Sequence, residues 1–353
     1  MLEKSVLTKE NLIKELKERY GFKNIKEISK ILKASANIFK IKGDNKDYIL
    51  KEYQSLYKLK DVIKEEKVIN LLNKNGIPTA EIMLCINGDY AWEYNLHVFV
   101  LQKFVKGVII DSNRGSPKAI KESAYYLSKI NLALQDVQLE KEDNIINWLS
   151  KESISKAKQK YDKILENCDK NEEDILSKQI REDVLIKKEL LQKFMQNKKI
   201  LTLLPKVTHM NSHGDYSVLQ FIYEPNKRKI KAILDLSATI KLPIVWEIIR
   251  SYTYIDPACK EGKINISNLK KYVKEYIKKI ELSKVDLAMM PYVYLLQLLK
   301  SPFGYSEYVI DKSENRKELI KFAFWRTEMC KWLAANAQEL SKSLVLLYPE
   351  RNY

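Results

Sequence analysis

The stretch His213-Gly214-Asp215-Tyr216-Ser217-Val218-Leu219-Gln220, with the apolar hairpin that follows it as far as Asp235, decides how the rest of the chain is read. Asp215 lies in a turn after the polar run 208–212. Gln220 offers a side-chain amide oxygen just before Phe221-Ile222-Tyr223, whose aromatic and branched residues predict a strand. Pro225-Asn226-Lys227 signals a turn, and Ile230-Lys231-Ala232-Ile233-Leu234 predicts the returning strand. Two strands joined by a tight turn bring their far ends together, so Gln220 and Asp235 are expected to converge. Hard oxygen ligands placed there suit Mg2+ set against the phosphates of a nucleotide. Asp215 is expected close by, to take a hydroxyl proton or orient an attacking oxygen. Phosphoryl transfer asks for these parts: positioning, charge neutralisation by metal, and a carboxylate near the nucleophile.

Each residue also has a plainer reading. A lone histidine such as His213 more often holds backbone than catalyses, and a structural role is expected for it. Asp215 in isolation reads as an Asx-turn residue. The run through Asp235 reverses that judgment, because a carboxylate between Ile233-Leu234 and Leu236 is costly to bury without a partner, and metal is the partner that fits.

His213, Gly214, Asp215 and Asp235, in that order, resemble the catalytic loop and metal-ligand strand of the aminoglycoside phosphotransferase and choline kinase superfamily. Its pattern is H-G-D-x-x-x-x-N, a hydrophobic hairpin, then I-D-[FLW]. Gln220 stands where that pattern has Asn, lengthening the ligand arm by one methylene. In Pro243-Ile244-Val245-Trp246-Glu247-Ile248, Glu247 takes the place of the family's helix-start Asp, and Asn131 stands where its L-A-x-L-H helix has histidine. The resemblance implies an α+β, bilobal protein-kinase-like fold: an N-lobe over residues 1–104 built on an antiparallel sheet, and a larger, mostly helical C-lobe over 105–353.

The resemblance also implies a division of roles. Asp215 is the expected catalytic carboxylate, and Gln220 and Asp235 are the expected metal ligands. Lys51, in the alternating run Tyr48-Ile49-Leu50-Lys51-Glu52-Tyr53, resembles the lysine that bridges α and β phosphates. Its expected partner is Glu66, with Glu65 as the alternative, on a helix over 62–75 closed by Gly76 and Pro78. The turn Ala34-Ser35-Ala36-Asn37 occupies the place of the nucleotide-covering loop, which makes Ser35 and Asn37 candidate nucleotide contacts although the turn contains no glycine. Backbone groups from Gln102 to Phe104 are expected to read the adenine edge. ATP and Mg2+ are the implied cofactors. The implied acceptor is the hydroxyl of a small molecule: an aminoglycoside, choline, homoserine or a sugar-like compound. A second reading is a catalytically weak kinase-like structural protein, similar to spore-coat components, with spore-coat association as its setting.

Composition agrees with a folded two-lobe protein. The 353 residues are 45% hydrophobic and 31% charged. No run reaches the roughly eighteen apolar residues that a membrane-spanning helix needs. Met1-Leu2-Glu3-Lys4-Ser5 leads directly into a charged amphipathic helix rather than a signal sequence. Cys85, Cys168, Cys259 and Cys330 are scattered, which argues against zinc and against a disulfide framework, and a cytoplasmic location is expected. The net charge of +16 is carried mostly by lysines interleaved with acids, as in Arg181-Glu182-Asp183, so no specific nucleic-acid partner is expected. Residues 148–199 read as a helical insertion. The aromatic-rich C-terminal third, including Tyr272, Tyr276 and Tyr294, reads mainly as core.

Overall fold

The computed structural model describes residues 3–31, 36–43, 46–139, 142–169, 175–226, 229–313 and 315–349. The chain divides into two compact units, Met1–Ile110 with Gln220–Thr239, and Asp111–Leu219 with Ile240–Tyr353.

The first unit opens with α1 (Lys9–Tyr20). Thr8 caps it by accepting the Asn11 N–H at 3.2 Å, and Gly21 closes it at φ 69°, a left-handed position that glycine adopts without strain. Strands β1 (Glu27–Ile31), β2 (Asn37–Lys42) and β3 (Asp47–Tyr53) lead to α2 (Leu59–Lys74), then to β4 (Ile82–Met83), β5 (Trp92–Tyr94) and β6 (His97–Lys103). The sheet order is β1-β2-β3-β6-β4, with β5 also pairing β6, and every pairing is antiparallel.

Side-chain alternation along these strands feeds two cores. Ile41, Leu50, Phe99 and Leu101 pack with Leu12 and Leu16 of α1, while Tyr53, Val98 and Val100 pack with Val62 of α2. The register Ile38↔Lys51↔Val100 therefore puts Lys51 on the α2 side of the sheet, beside Tyr53.

The predicted hairpin forms, with Phe221–Tyr223 antiparallel to Ile230–Ile233. It groups with the first unit, not with the lobe over 105–353 where it was expected, because its backbone is bonded there. Ile233 donates to the Pro78 carbonyl at 2.8 Å, and Tyr223 and Val108 exchange N–H···O bonds of 2.9 Å in both directions. The chain at Gly107 passes so close that an added Cβ would meet the Tyr223 carbonyl oxygen at 2.3 Å. These contacts also carry the first unit past residue 104 to Ile110.

The second unit is helical: α3 (Pro117–Ala133), α4 (Ile145–Leu149), α5 (Lys151–Asp169), α6 (Ile175–Gln196), α7 (Lys198–Leu203), α8 (Ile244–Ile255), α9 (Ile266–Tyr276), α10 (Lys284–Lys300), α11 (Tyr305–Val309) and α12 (Arg316–Val345). The insertion expected over 148–199 comprises α5, α6 and their flanks. It is part of the core, because Tyr161, Ile164, Ile180 and Val184 pack against Tyr305, Ile320 and Ala323. Tyr272, Tyr276 and Tyr294 are fully buried with their hydroxyls bonded to Ser123 and Ser251, to Asn131, and to Thr253 respectively. A two-stranded ribbon, His209–Ser212 with Ile240–Pro243, sits among the helices. Asp286, in the first turn of α10, anchors its entry by accepting from the Thr208 N–H at 2.7 Å and hydroxyl at 2.8 Å. Among the described residues no helix is long and apolar enough to cross a membrane.

Candidate active site

In the first unit, strand β3 and helix α2 bring Lys51 and Glu65 together, and the end of the hairpin adds Asp235. Lys51 Nζ lies 3.4 Å from Glu65 Oε1 and 3.4 Å from Asp235 Oδ1, and 4.3 Å above the Tyr53 ring. The Tyr53 hydroxyl donates to Glu65 Oε2 at 2.6 Å, so both carboxylate oxygens of Glu65 are engaged. Burial pulls the Lys51 pKa down, but Glu65 and Asp235 outweigh it and hold the ammonium above its ordinary value.

The partner expected at Glu66 is therefore Glu65. Successive helical residues point about 100° apart, so a shift of one residue sends the carboxylate elsewhere. Glu66 is fully buried, and among the described residues neither of its oxygens has a hydrogen-bond partner. Burial, reinforced by the neighbouring Glu65 charge, raises its pKa to about 9. It holds its proton at neutral pH.

Asp235 adopts φ 57°, ψ 66°. That left-handed conformation is uncommon outside glycine and is kept where the surroundings fix it, often at functional positions. Its Oδ1 also accepts from the Ser237 hydroxyl at 2.8 Å. Gln220 begins the hairpin, its carbonyl accepting the Leu234 N–H at 2.8 Å, so Gln220 and Asp235 flank the same open end. A carboxylate and an amide at the end of a rigid ribbon are the hard oxygen donors that Mg2+ takes. Among the described residues no group of three or more His, Cys, Asp or Glu is arranged to hold a metal ion. A cation there would draw its remaining ligands from phosphate oxygens and water, as Mg2+ commonly does.

In the second unit the loop after the ribbon is tied down at each step. Gly214 takes φ 82°, which the turn requires. The buried His213 accepts the Asp215 N–H through Nδ1 at 3.3 Å. Glu247 of α8 accepts the Tyr216 N–H through Oε1 at 3.1 Å, and the Ser212 hydroxyl donates to its Oε2. Asn131 of α3 donates to the Asn211 carbonyl at 2.9 Å and to Ser212 Oγ at 2.7 Å. The residues that depart from the superfamily's usual ones, Glu247 and Asn131, thus brace the loop from two helices. Asp215 itself is partly exposed and meets Arg250 of α8, whose Nη2 lies 2.5 Å from Asp215 Oδ1. Arg250 was not anticipated from sequence. Its only signal is an arginine one helical turn after Glu247, in a chain that otherwise relies on lysine.

Of the four further candidates, three lie among the described residues of the first unit. Ser35 is outside the described residues. Asn37 opens β2, is buried, and donates to the Glu3 carbonyl at 3.0 Å. Gln102 pairs with Ile49 and Ile82 inside the sheet. The backbone donors expected to read adenine at this point are already used: Lys103 N–H bonds the Glu81 carbonyl at 2.7 Å and Phe104 N–H the Asp47 carbonyl at 3.0 Å. The sheet runs through Lys103, and these two donors serve pairing within the first unit.

With this geometry in view, solved structures supply the comparison. Spectinomycin phosphotransferase in complex with ADP and spectinomycin superposes with a TM-score of 0.64 at 15% identity, covering 96% of this chain and 99% of that one. An aminoglycoside phosphotransferase from Alicyclobacillus acidocaldarius gives 0.65 at 12% identity, covering 96% and 98%. Both chains are spanned almost end to end. The chain has the aminoglycoside phosphotransferase fold. The same fold is found in amicoumacin kinase in complex with AMP-PNP, Ca2+ and amicoumacin, with a TM-score of 0.60 at 14% identity and coverage of 97% and 96%. No family model and no curated protein matches the sequence. At these identities, membership of the fold is carried by the path of the backbone.

Proposed function

We propose that the chain is an ATP- and Mg2+-dependent phosphotransferase that moves the γ-phosphoryl group to a hydroxyl of a small molecule. The observation that carries this reading is the triad Lys51, Glu65 and Asp235, drawn together from a strand, a helix and a hairpin with up to 184 residues between its members. A half-buried lysine kept charged by two carboxylates has little structural rationale, since an apolar side chain would be cheaper there. As a grip on phosphate oxygens it has one. The nucleotide complexes of solved proteins with this fold support the same reading.

In the proposed reaction Lys51, oriented by Glu65, binds phosphate oxygens. Mg2+, held by Asp235 and the Gln220 amide oxygen, would neutralise charge on the phosphates. Asp215 orients the acceptor hydroxyl and takes its proton as the new O–P bond forms, while the bond between the γ-phosphorus and the β-γ bridging oxygen breaks and ADP leaves. Positioning and electrostatics account for most of the catalysis in such reactions.

Calorimetry with ATP in the presence and absence of Mg2+ tests the nucleotide half. Mg2+-dependent binding is expected, and its absence would favour the non-catalytic reading as a structural, spore-coat-like protein. Screening hydroxyl-bearing metabolites for ATP consumption then identifies the acceptor.

A further inference from the structure

We infer that Arg250 is a positioning residue that fixes the carboxylate of Asp215 for phosphoryl transfer, a role that deepens, and rests on, the function proposed above. The backbone of the loop has other holds besides Arg250. Glu247, His213 and Asn131 already hold Tyr216, Asp215 and the preceding strand, and the Tyr216 hydroxyl donates to the Ser123 carbonyl at 2.8 Å. None of those contacts reaches the Asp215 carboxylate. Its side chain is 41% exposed, and the contact with Arg250 is a charge-assisted one, the strong class of hydrogen bond.

Arg250 reaches it with a planar fork. Nη2 donates to Asp215 Oδ1 at 2.5 Å while Nη1 donates to the Tyr216 carbonyl at 3.3 Å, so one rigid group spans the side chain and the backbone one residue on. The guanidinium is itself pinned. Trp246 and Tyr254, four residues before and after it on α8, place their rings 5.3 and 4.7 Å from its central carbon. A lysine would carry the charge without the fork, and the residue type therefore matters as well as its charge.

The test uses the purified full-length chain with Mg2+-ATP and water in place of the unidentified acceptor, measuring ADP release. Arg250→Gln is expected to lower kcat by roughly 10- to 100-fold, the range typical when a group that orients a functional side chain is removed, with KM for ATP within about twofold of the parent. Arg250→Lys is expected to fall between the two. In the background of Asp215→Asn, Arg250→Gln is expected to change the residual rate little, because the group it positions is gone. Unchanged kcat in Arg250→Gln would overturn the inference, and so would an equal loss in both backgrounds. A loss confined to KM, or failure of both variants to fold, would assign Arg250 to binding or to architecture instead. A parent chain that binds no Mg2+-ATP would overturn the kinase reading itself, whereas an active parent with an indifferent Arg250→Gln sinks this inference alone.

Discussion

Glu66→Gln replaces a buried carboxyl that no described residue hydrogen-bonds with a neutral group of the same shape. In the unfolded chain this carboxyl ionises near its ordinary value of 4.5, and in the folded chain at about 9. Between those two pH values the unfolded state gives up a proton that the native state keeps. Stability therefore falls as pH rises, by about 1.4 kcal/mol for each pH unit. At pH 7 the accumulated penalty is about 3 kcal/mol, and it levels off once pH passes the folded value of about 9. Below pH 4.5 both states are protonated and the substitution is expected to be nearly neutral. The assay is urea unfolding of parent and variant at pH 4.5, 7 and 8.5, followed by circular dichroism and tryptophan fluorescence. The variant should gain little at the lowest pH and progressively more at the two higher ones. Difference infrared spectra should show a protonated-carboxyl band at pH 7 that the variant lacks. A stability difference independent of pH, or a missing band, would refute the picture of a neutral buried acid beside the Lys51 and Glu65 pair.

Asp215→Asn should reduce turnover by about 10²- to 10⁴-fold, the usual contribution of a general base, while calorimetry shows ATP affinity nearly unchanged. Asp235→Ala should weaken both Mg2+-dependent ATP binding and turnover, leaving Lys51 paired with Glu65 alone. Glu65→Gln should raise KM for ATP by roughly tenfold through loss of a charged hydrogen bond of about 1.5 kcal/mol, whereas Glu66→Gln should leave KM alone; the reverse pattern would restore Glu66 as the lysine's partner. Lys187 is buried between the Tyr161 and Tyr305 rings and donates to the Ser301 carbonyl, and burial lowers its pKa to about 8. Lys187→Met should therefore be more stable than the parent by about 3 kcal/mol below pH 8, and the advantage should fade as pH rises towards lysine's ordinary value of 10.5, where the unfolded chain also loses its proton.

The order of chemistry along the chain was legible from sequence because each piece is local. Hairpin geometry follows from a turn between two apolar runs, so the approach of Gln220 and Asp235 could be expected from spacing alone. A lysine in an alternating strand, then a helix ended by glycine, then the Asp215 loop, carried the resemblance to a known superfamily, and the fold class was what that resemblance implied. What the sequence left open depends on packing between distant segments. Whether Glu65 or Glu66 meets Lys51 turns on helix phase, which a repeat of 3.6 residues does not set to a single residue when both positions are buried. The extra sheet bonds of Lys103 and Phe104 depend on partners at Glu81 and Asp47, and hairpin membership of the first unit depends on Pro78 and Val108. Arg250 carries no motif because its partner lies 35 residues away, and only the burial of α8 against the loop aims its guanidinium at Asp215. Short-range periodicity thus determined which residue types stand where, and tertiary packing decided which of them touch, because a side chain's partner is selected by shape and charge across elements that the chain brings together only when folded.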